Sequence, residues 1–589
     1  MKPFSLFILL FTFGLNCSAQ NFQLQLLGST ASENKIIDSL SYNSKHTNAK
    51  SISDEITIIS EKLSKIGFIE NQLLENIKEN DSSYIAKFNL GERIKSIHIY
   101  IGRKILTPAL SKGEGVETAM DYNNTLIKDL IGLKKTKDTL VLPYGETEPF
   151  LNQTLQKLER KGFSLAKLKL VNIQKHENTL YAELQFETDQ QRQLNEIVIK
   201  YNDGNKKNNF PEGHLAQINR KYRNSTFNQE IVRKINDDFE KFRFVSQVKY
   251  PEILFTKDTT KVYVYLEKRK SNTFDGFIGF STTENSKLTF NGYLDLTLEN
   301  TLRIGEQFSL YWKSDGNKQK TFKAGIEIPY LFKSPIGLKA QIHIFKQDST
   351  YQNTRTAIDL GYYFDYNTRI YLGYQSTESS DIQNTNNTMI SDYKNSYITS
   401  NLEYSKFDYT NPIFFKKTNL SFTVGIGKRT TGSLPETAGT NKQFYINVNA
   451  MHNFYLNKKN SINISIQNYF LHSDSYIINE LYHFGGINSI RGFAENSLQA
   501  NFSTTIISEY RYLLSPSLYL HSIIDYGYFR DHSSKEKNNY RGDLLGVGLG
   551  FGLQTKNGLL KVAFANGSSK NKEVKFYNTI IHICYNVKF

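Results

Sequence analysis

Ile581-His582-Ile583-Cys584-Tyr585-Asn586-Val587-Lys588-Phe589 ends the chain, and every second side chain in it is apolar or aromatic. That period of two marks a strand whose two faces meet different surroundings. Ser461-Ile462-Asn463-Ile464-Ser465-Ile466-Gln467 repeats the pattern. In a soluble sandwich the apolar face meets a core and the polar face meets water. In a transmembrane barrel the apolar face meets lipid and the polar face lines the lumen. Alternation alone fits both, so the choice rests on the number of segments and on their connections.

Working back from the C-terminus, helical periodicity is missing as far as about residue 272. Sixteen alternating segments can be counted: the first at about 272–284, the eleventh at about 460–474, the twelfth at about 498–514 and the last at about 576–589. An even number suits a closed barrel with no unpaired edge in lipid. Connections after even-numbered segments are mostly short, as at Lys458-Lys459 and Asn557-Gly558, with a longer one at Asn411–Lys416. Several after odd-numbered segments are long, at 380–395, 431–441, 475–497 and 531–542. Short turns at one end and long loops at the other are the asymmetry of transmembrane barrels. Residues 272–589 therefore read as an all-β, 16-stranded antiparallel transmembrane barrel, with both chain ends of the barrel on the side of the N-terminal region.

Composition agrees. The chain has 589 residues, 39% hydrophobic, with 40 Phe and 37 Tyr against one Trp. A mean hydropathy of -0.47 excludes a bundle of membrane helices. The one long apolar run, Phe4–Leu15, is too short to span. With Lys2 before it and Cys17-Ser18-Ala19 after it, residues 1–19 read as a signal peptide cleaved before Gln20. Lipidation at Cys17 is the rival, and Asn16 just ahead of it fits poorly. The net charge of +15 is spread along the chain among acids, which argues against a nucleic-acid partner. Cys17 and Cys584 alone make neither a disulfide framework nor a metal site.

Between the leader and the barrel, one local grammar recurs. Glu61-Lys62-Leu63-Ser64-Lys65-Ile66-Gly67-Phe68, Leu158-Glu159-Arg160-Lys161-Gly162-Phe163 and Phe239-Glu240-Lys241-Phe242-Arg243-Phe244 each end an amphipathic helix and enter a strand. Each unit opens with a strand, at Phe22–Leu27, Ile94–Ile101 and Leu194–Tyr201, and closes with two. The predicted order, strand–helix–helix–strand–strand, gives α+β units at 20–92, 93–190 and 191–271. The third unit has helices at Pro211–Tyr222 and Asn228–Phe242, and a strand at about 246–256. The second is irregular over 104–140. His176 and His214 lack an acid–nucleophile pattern and read as surface residues. Neither these units nor the barrel offers a catalytic grouping or a metal-ligand cluster, so an enzyme is not expected.

The connection between segments eleven and twelve holds Phe484-Gly485-Gly486-Ile487-Asn488-Ser489-Ile490-Arg491-Gly492-Phe493. It resembles the GG-x-x-S-[VI]-R-G-[FY] signature of the BamA/TamA outer-membrane assembly superfamily, which also includes two-partner secretion translocators. The three α+β units are similar to POTRA domains, the periplasmic repeats that precede such barrels, and three of them fit TamA-like members. Ile523-Ile524-Asp525-Tyr526-Gly527 resembles the family's F-x-D-x-G strand motif, with Ile523 at the aromatic position.

The resemblance implies that Gly485, Gly486, Ser489, Ile490, Arg491, Gly492 and Phe493 form a loop folded into the lumen, with Arg491 against Asp525. Alternation puts Asp525 and Gly527 on the face of His521, opposite Leu520, Ile524 and Tyr526. Gly546, Gly548, Gly550 and Gly552 would leave a smooth inner wall. Ile583, Tyr585, Val587 and Phe589 resemble the C-terminal signal of outer-membrane barrels. The family further implies a Gram-negative outer-membrane location with the N-terminal units in the periplasm. Its partners would be the lipid bilayer, unfolded barrel or secreted client proteins, and a periplasm-spanning or inner-membrane protein. The residues themselves suggest no cofactor and no metal. The function implied by the family would be assembly or insertion of outer-membrane proteins through a weak seam between the first and last strands, about Thr273–Phe280 against Ile580–Val587, where Gly276 and Gly279 lower strand stability. A dedicated secretion pore is the alternative, and a lipid or solute channel a weaker one.

Overall fold

The computed structural model describes residues 22–101, 125–132, 138–187, 190–201, 210–282, 288–315, 319–383, 390–411, 413–431, 439–533, 540–556, 558–569 and 579–588. The leader and Phe589 lie outside the described residues, as does much of the irregular stretch 104–140. The chain falls into two compact units. One runs to Gln193 and includes Ser225–Glu230; the other comprises Leu194–Asn224 and everything from Ile231 onward.

The first unit holds two small sheets. In one, β1 (Phe22–Gly28), β2 (Lys45–His46), β3 (Gln72–Lys78) and β4 (Ser83–Asn89) lie in the order β2-β1-β4-β3. Helix α1 (Ala31–Ser39) starts at Thr30, whose hydroxyl and Glu33 form a reciprocal capping box. Helix α2 (Ala49–Lys65) starts at Asn48, which accepts the Ser51 N–H. Ile52, Ile56, Ile59 and Leu63 recur at helical spacing, and all four are buried against Leu24, Leu26, Ala86 and Phe88 of the sheet. In the second sheet, β5 (Ser96–Tyr100), β6 (Thr139–Pro143), β7 (Lys167–His176) and β8 (Thr179–Glu187) lie in the order β6-β5-β8-β7, with α3 (Thr147–Arg160) packed through Leu158.

The third sheet belongs to the second unit. It contains β9 (Glu196–Tyr201), β10 (Val245–Gln247), β11 (Glu252–Phe255) and β12 (Thr260–Lys268), with helices α4 (Glu212–Tyr222) and α5 (Gln229–Glu240). One rule joins the three sheets: the opening strand runs parallel to the closing strand, β1 with β4, β5 with β8 and β9 with β12. Two details depart from the expected grammar. Short strands β2, between α1 and α2, and β6, just ahead of α3, widen the first two sheets. The strand expected at about 246–256 is broken into β10 and β11, with Pro251, which has no N–H to donate, ending the gap.

His214 is also corrected. It is not a surface residue but fully buried, among the rings of Phe210, Phe242, Phe244, Tyr330 and Tyr366. The last two sit in turns at the near end of the barrel, so a tertiary contact invisible to local sequence decides its fate. Ion pairs ring this joint: Arg243–Glu299 at 3.0 Å, Lys333–Glu212 at 2.8 Å and Lys241–Asp365 at 3.4 Å. His176 is exposed.

The barrel is a single closed antiparallel sheet. Its first eight strands are β13 (Thr273–Thr282), β14 (Leu288–Glu299), β15 (Gln307–Asp315), β16 (Gln319–Ile328), β17 (Ile336–Gln347), β18 (Tyr351–Asp365), β19 (Thr368–Asp381) and β20 (Tyr393–Phe407). Then follow β21 (Lys416–Thr431), β22 (Gly439–Tyr455) and β23 (Asn460–Ser473). Two short strands, β24 (Tyr482–Phe484) and β25 (Leu498–Ala500), pair with each other inside the next connection. The wall resumes with β26 (Phe502–Ser515), β27 (Leu518–Asp531), β28 (Tyr540–Gln554), β29 (Gly558–Ser569) and β30 (Ile580–Lys588). The twelfth wall strand therefore starts at Phe502, not near 498, because Leu498–Ala500 turns back to pair within the loop.

Alternation sets the two faces. Ile358, Leu372, Ile398, Ile426, Leu549 and Ile583 are each more than 60% exposed on the outer wall. Asp359, Thr399 and Cys584, next in sequence to Ile358, Ile398 and Ile583, point inward and are polar. Apolar outside and polar inside is the arrangement that lipid selects. β13 begins and β30 ends at the same rim, where they pair antiparallel.

Candidate functional site: the lumen loop and the barrel seam

The connection of residues 474–501 crosses the lumen and is fastened at both walls. At one wall Asn479, fully buried, donates to Ser379 Oγ at 2.7 Å and to the Ser391 carbonyl at 2.8 Å, and its own carbonyl accepts from Asn353 at 2.6 Å. Glu480 forms a buried ion pair with Arg429 and accepts from Gln443 Nε2 at 2.9 Å. Tyr351 and His483 share a hydrogen bond at 2.8 Å. Glu495 pairs with Lys313 at 3.3 Å.

At the opposite wall the motif residues gather. Arg491 reaches Asp525 as a fork, Nε to Oδ2 at 2.8 Å and Nη2 to Oδ1 at 2.6 Å, and the Arg491 backbone N–H adds a third bond at 3.0 Å. Its remaining nitrogen donates to Glu509 at 2.5 Å, and Nη2 also donates to the Ser508 carbonyl at 3.2 Å. Glu509 is held in turn by Arg511 at 2.6 Å, and Arg511 donates to Asn453 at 2.8 Å. Two cations face two anions, so the cluster is neutral overall. That balance matters because Arg491 is 3% and Asp525 0% exposed, and a buried charge without a partner is costly.

Packing completes the dock. Ile490, wholly buried, joins Phe484, Ala500, Phe529 and Leu544, and Phe493 packs at the margin. Gly485 and Gly486 have φ of +109° and +99°, and the Ser489 N–H donates to the Gly486 carbonyl at 3.1 Å to close the turn. Gly492 combines φ of +86° with a close approach: a β-carbon there would collide with the Asn566–Gly567 backbone. On the inner wall a side chain at Gly546 would strike the Arg491 carbonyl. Gly527 leaves room for Ile490 beside β27. The loop thus lies directly on the glycine-rich wall of β28.

Ile583 and Tyr585 of the last strand face outward, and Val587 pairs with Gly558 on one side and Phe274 on the other. Among the described residues, β13 and β30 pair only through Thr273–Asp275 with Asn586–Lys588. On their other sides, β13 pairs β14 along Thr273–Thr282, and β30 pairs β29 along Ile580–Val587. Where the seam ladder stops, Asp275 takes over. Its carboxylate accepts the Cys584 S–H at 2.8 Å, the Tyr293 hydroxyl at 2.6 Å and the Tyr585 N–H at 3.3 Å.

Sequence reasoning did not single out Glu509, Arg511, Arg429, Glu480 or Asp275. Four of them were readable in part: strand alternation puts Glu509, Arg511, Arg429 and Asp275 on the lumen face. The pairing of Arg429 with Glu480, 51 residues apart, had no local signal.

No curated protein sequence matches the chain. Among solved structures it is similar to BamA from Haemophilus ducreyi lacking POTRA domains 1-3, at 16% identity and TM-score 0.47, covering 83% of this chain and 100% of that one. It is similar to CdiB from Acinetobacter baumannii, at 13% identity and TM-score 0.49, covering 84% and 90%. It is also similar to CdiB from Escherichia coli, at 11% identity and TM-score 0.47, covering 91% and 98%. Residues 300–580 match the Omp85 superfamily domain. With that match and its closed barrel of sixteen strands, the chain carries an Omp85 superfamily domain over residues 300–580 and is an outer-membrane protein of the Gram-negative type.

Proposed function

We propose that this Omp85 barrel is an assembly factor that inserts client β-barrel proteins into the outer membrane, opening between β13 and β30. The observation that carries the proposal is the short seam. A ladder of three residue pairs backed by one carboxylate is the weakest join in the wall, and its unpaired strand edges can take up an extended client. The N-terminal sheets would act as POTRA-like domains at 20–92, 93–190 and 191–271 and receive clients in the periplasm. Strand β3 supports this role: it is a sheet edge with Leu73, Leu74 and Ile77 exposed. The Arg491–Asp525 dock would hold the lumen loop against β26–β29, so that the wall leading to the seam stays rigid while the seam opens. The work asked of the chain is binding and strand exchange, not bond chemistry.

Quantitative outer-membrane and secreted proteomics after depletion of the protein in its host tests this function. Loss of several barrel proteins is the expected result. Loss of one secreted protein, with barrels unchanged, would make it a dedicated translocator instead.

A further inference from the structure

Most cations of the lumen are matched to acids. Arg369 pairs with Glu327 and Glu403, Lys339 with Glu403 at 2.6 Å, and Arg243 with Glu299. Three adjacent strands break this pattern at one height. Lys323 of β16 is the register partner of His343 of β17, and His343 is the register partner of Arg355 of β18. All three line a lumen cavity of about 660 Å³. Among the described residues, none of the three makes a hydrogen bond or ion pair through its side chain; Lys323 only overlies the Tyr311 ring at 5.6 Å. The acids nearest to them are committed or distant. Glu495 is bonded to Lys313, Asp295 lies two strands away across Tyr311, and Asp359 is four residues further along β18, beyond Ala357 on the same face.

We infer that Lys323, His343 and Arg355 form an oxyanion site in the barrel lumen, suited to a phosphate-class group. Strand spacing of ~4.8 Å puts the Lys323 and Arg355 backbones about 10 Å apart, with His343 between them. An ammonium and a guanidinium converging from that separation can clasp a tetrahedral oxyanion, the lysine as a point charge and the arginine as a fork. The imidazole between them adds a ring N–H. Gln341 borders the same cavity and adds an amide donor. The lipid faces of these strands carry Ile342, Ile344 and Ile358 instead, so the charges address the lumen and not the bilayer.

The test is calorimetric titration of inorganic phosphate into the purified full-length protein in zwitterionic micelles. Saturable one-site binding that weakens with added sodium chloride is expected. Lys323→Gln and Arg355→Gln each remove a charge-assisted contact and should weaken it about ten- to a hundredfold. Lys346→Gln, on the opposite face of β17, should leave it unchanged. Repeating the titration in nanodiscs with and without phosphatidylglycerol assigns the source: competition by the anionic lipid identifies a headgroup, and its absence a soluble oxyanion. No saturable phosphate binding by the wild-type protein, or equal binding by a folded Lys323→Gln/Arg355→Gln variant, would overturn the assignment.

Discussion

Replacing Arg491 with alanine should undock the lumen loop and leave the barrel wall intact. The magnitude follows from what each partner keeps. Asp525, fully buried, loses its bidentate cation and retains only the N–H groups of residue 491 and Ser508, at 3.0 and 3.3 Å. Glu509 keeps Arg511 at 2.6 Å. Stranding one buried charge costs about 3–5 kcal/mol, and the surviving bonds place this case near 3. Docking then weakens roughly a hundredfold. Chymotrypsin reads this directly, because Tyr482, Phe484 and Phe493 lie in the loop and Phe484 is 2% exposed when docked. Cleavage should accelerate by that factor when opening is fast relative to proteolysis. Heat-modifiable migration on gels should report a folded barrel throughout. Arg491→Lys should fall between, having lost the fork but kept the charge. Arg491→Met with Asp525→Leu should recover most of the protection, since a buried pair replaced on both sides by apolar groups strands no charge on Asp525. Wild-type protection in Arg491→Ala would refute the reasoning.

Three further outcomes are expected. Burial holds the His214 imidazole down at about 3, against about 6.5 for the unfolded chain. The unfolded state therefore takes up its proton first as pH falls, and the α4 joint should lose up to about 1.4 kcal/mol per unit between 6.5 and 3. Hydrogen-exchange protection of α4 in the full chain, expressed relative to the intrinsic amide rate at each pH, should be lower at pH 5 than at 7.5, and His214→Phe should flatten the difference. Gly492→Val should release the loop as Arg491→Ala does, because it combines a positive φ with a backbone collision; the same protease assay measures it. Asp275→Ala should loosen the end of β30, read as faster maleimide labelling of Cys584 without loss of the folded barrel.

The barrel was legible because its physics is periodic. Side chains such as Ile583 and Asp525 declare their face by parity alone, and loop lengths orient the whole. The motif loop was legible through its resemblance to a family signature, which implied Arg491 against Asp525. What sequence did not show depends on distance across the fold. His214 is buried by Tyr330 and Tyr366, which its own helix cannot announce. Leu498–Ala500 looks like the start of a wall strand and pairs instead with Tyr482–Phe484. Arg429 and Glu480 each read as ordinary polar residues until the loop brings them together. The shortness of the seam is likewise a property of how the circle closes, not of either strand taken alone.

The most direct test of the central claim is to lock that seam. Phe274 and Val587 are register partners, at the ~4.5–5.5 Å separation of antiparallel pairs that a disulfide can bridge. Phe274→Cys with Val587→Cys, in a Cys584→Ala background, would be expressed as the sole copy, oxidised, and assayed for outer-membrane protein assembly with and without reductant. The account predicts a folded barrel that is inactive when oxidised and restored on reduction. Full activity with the seam covalently closed would contradict it.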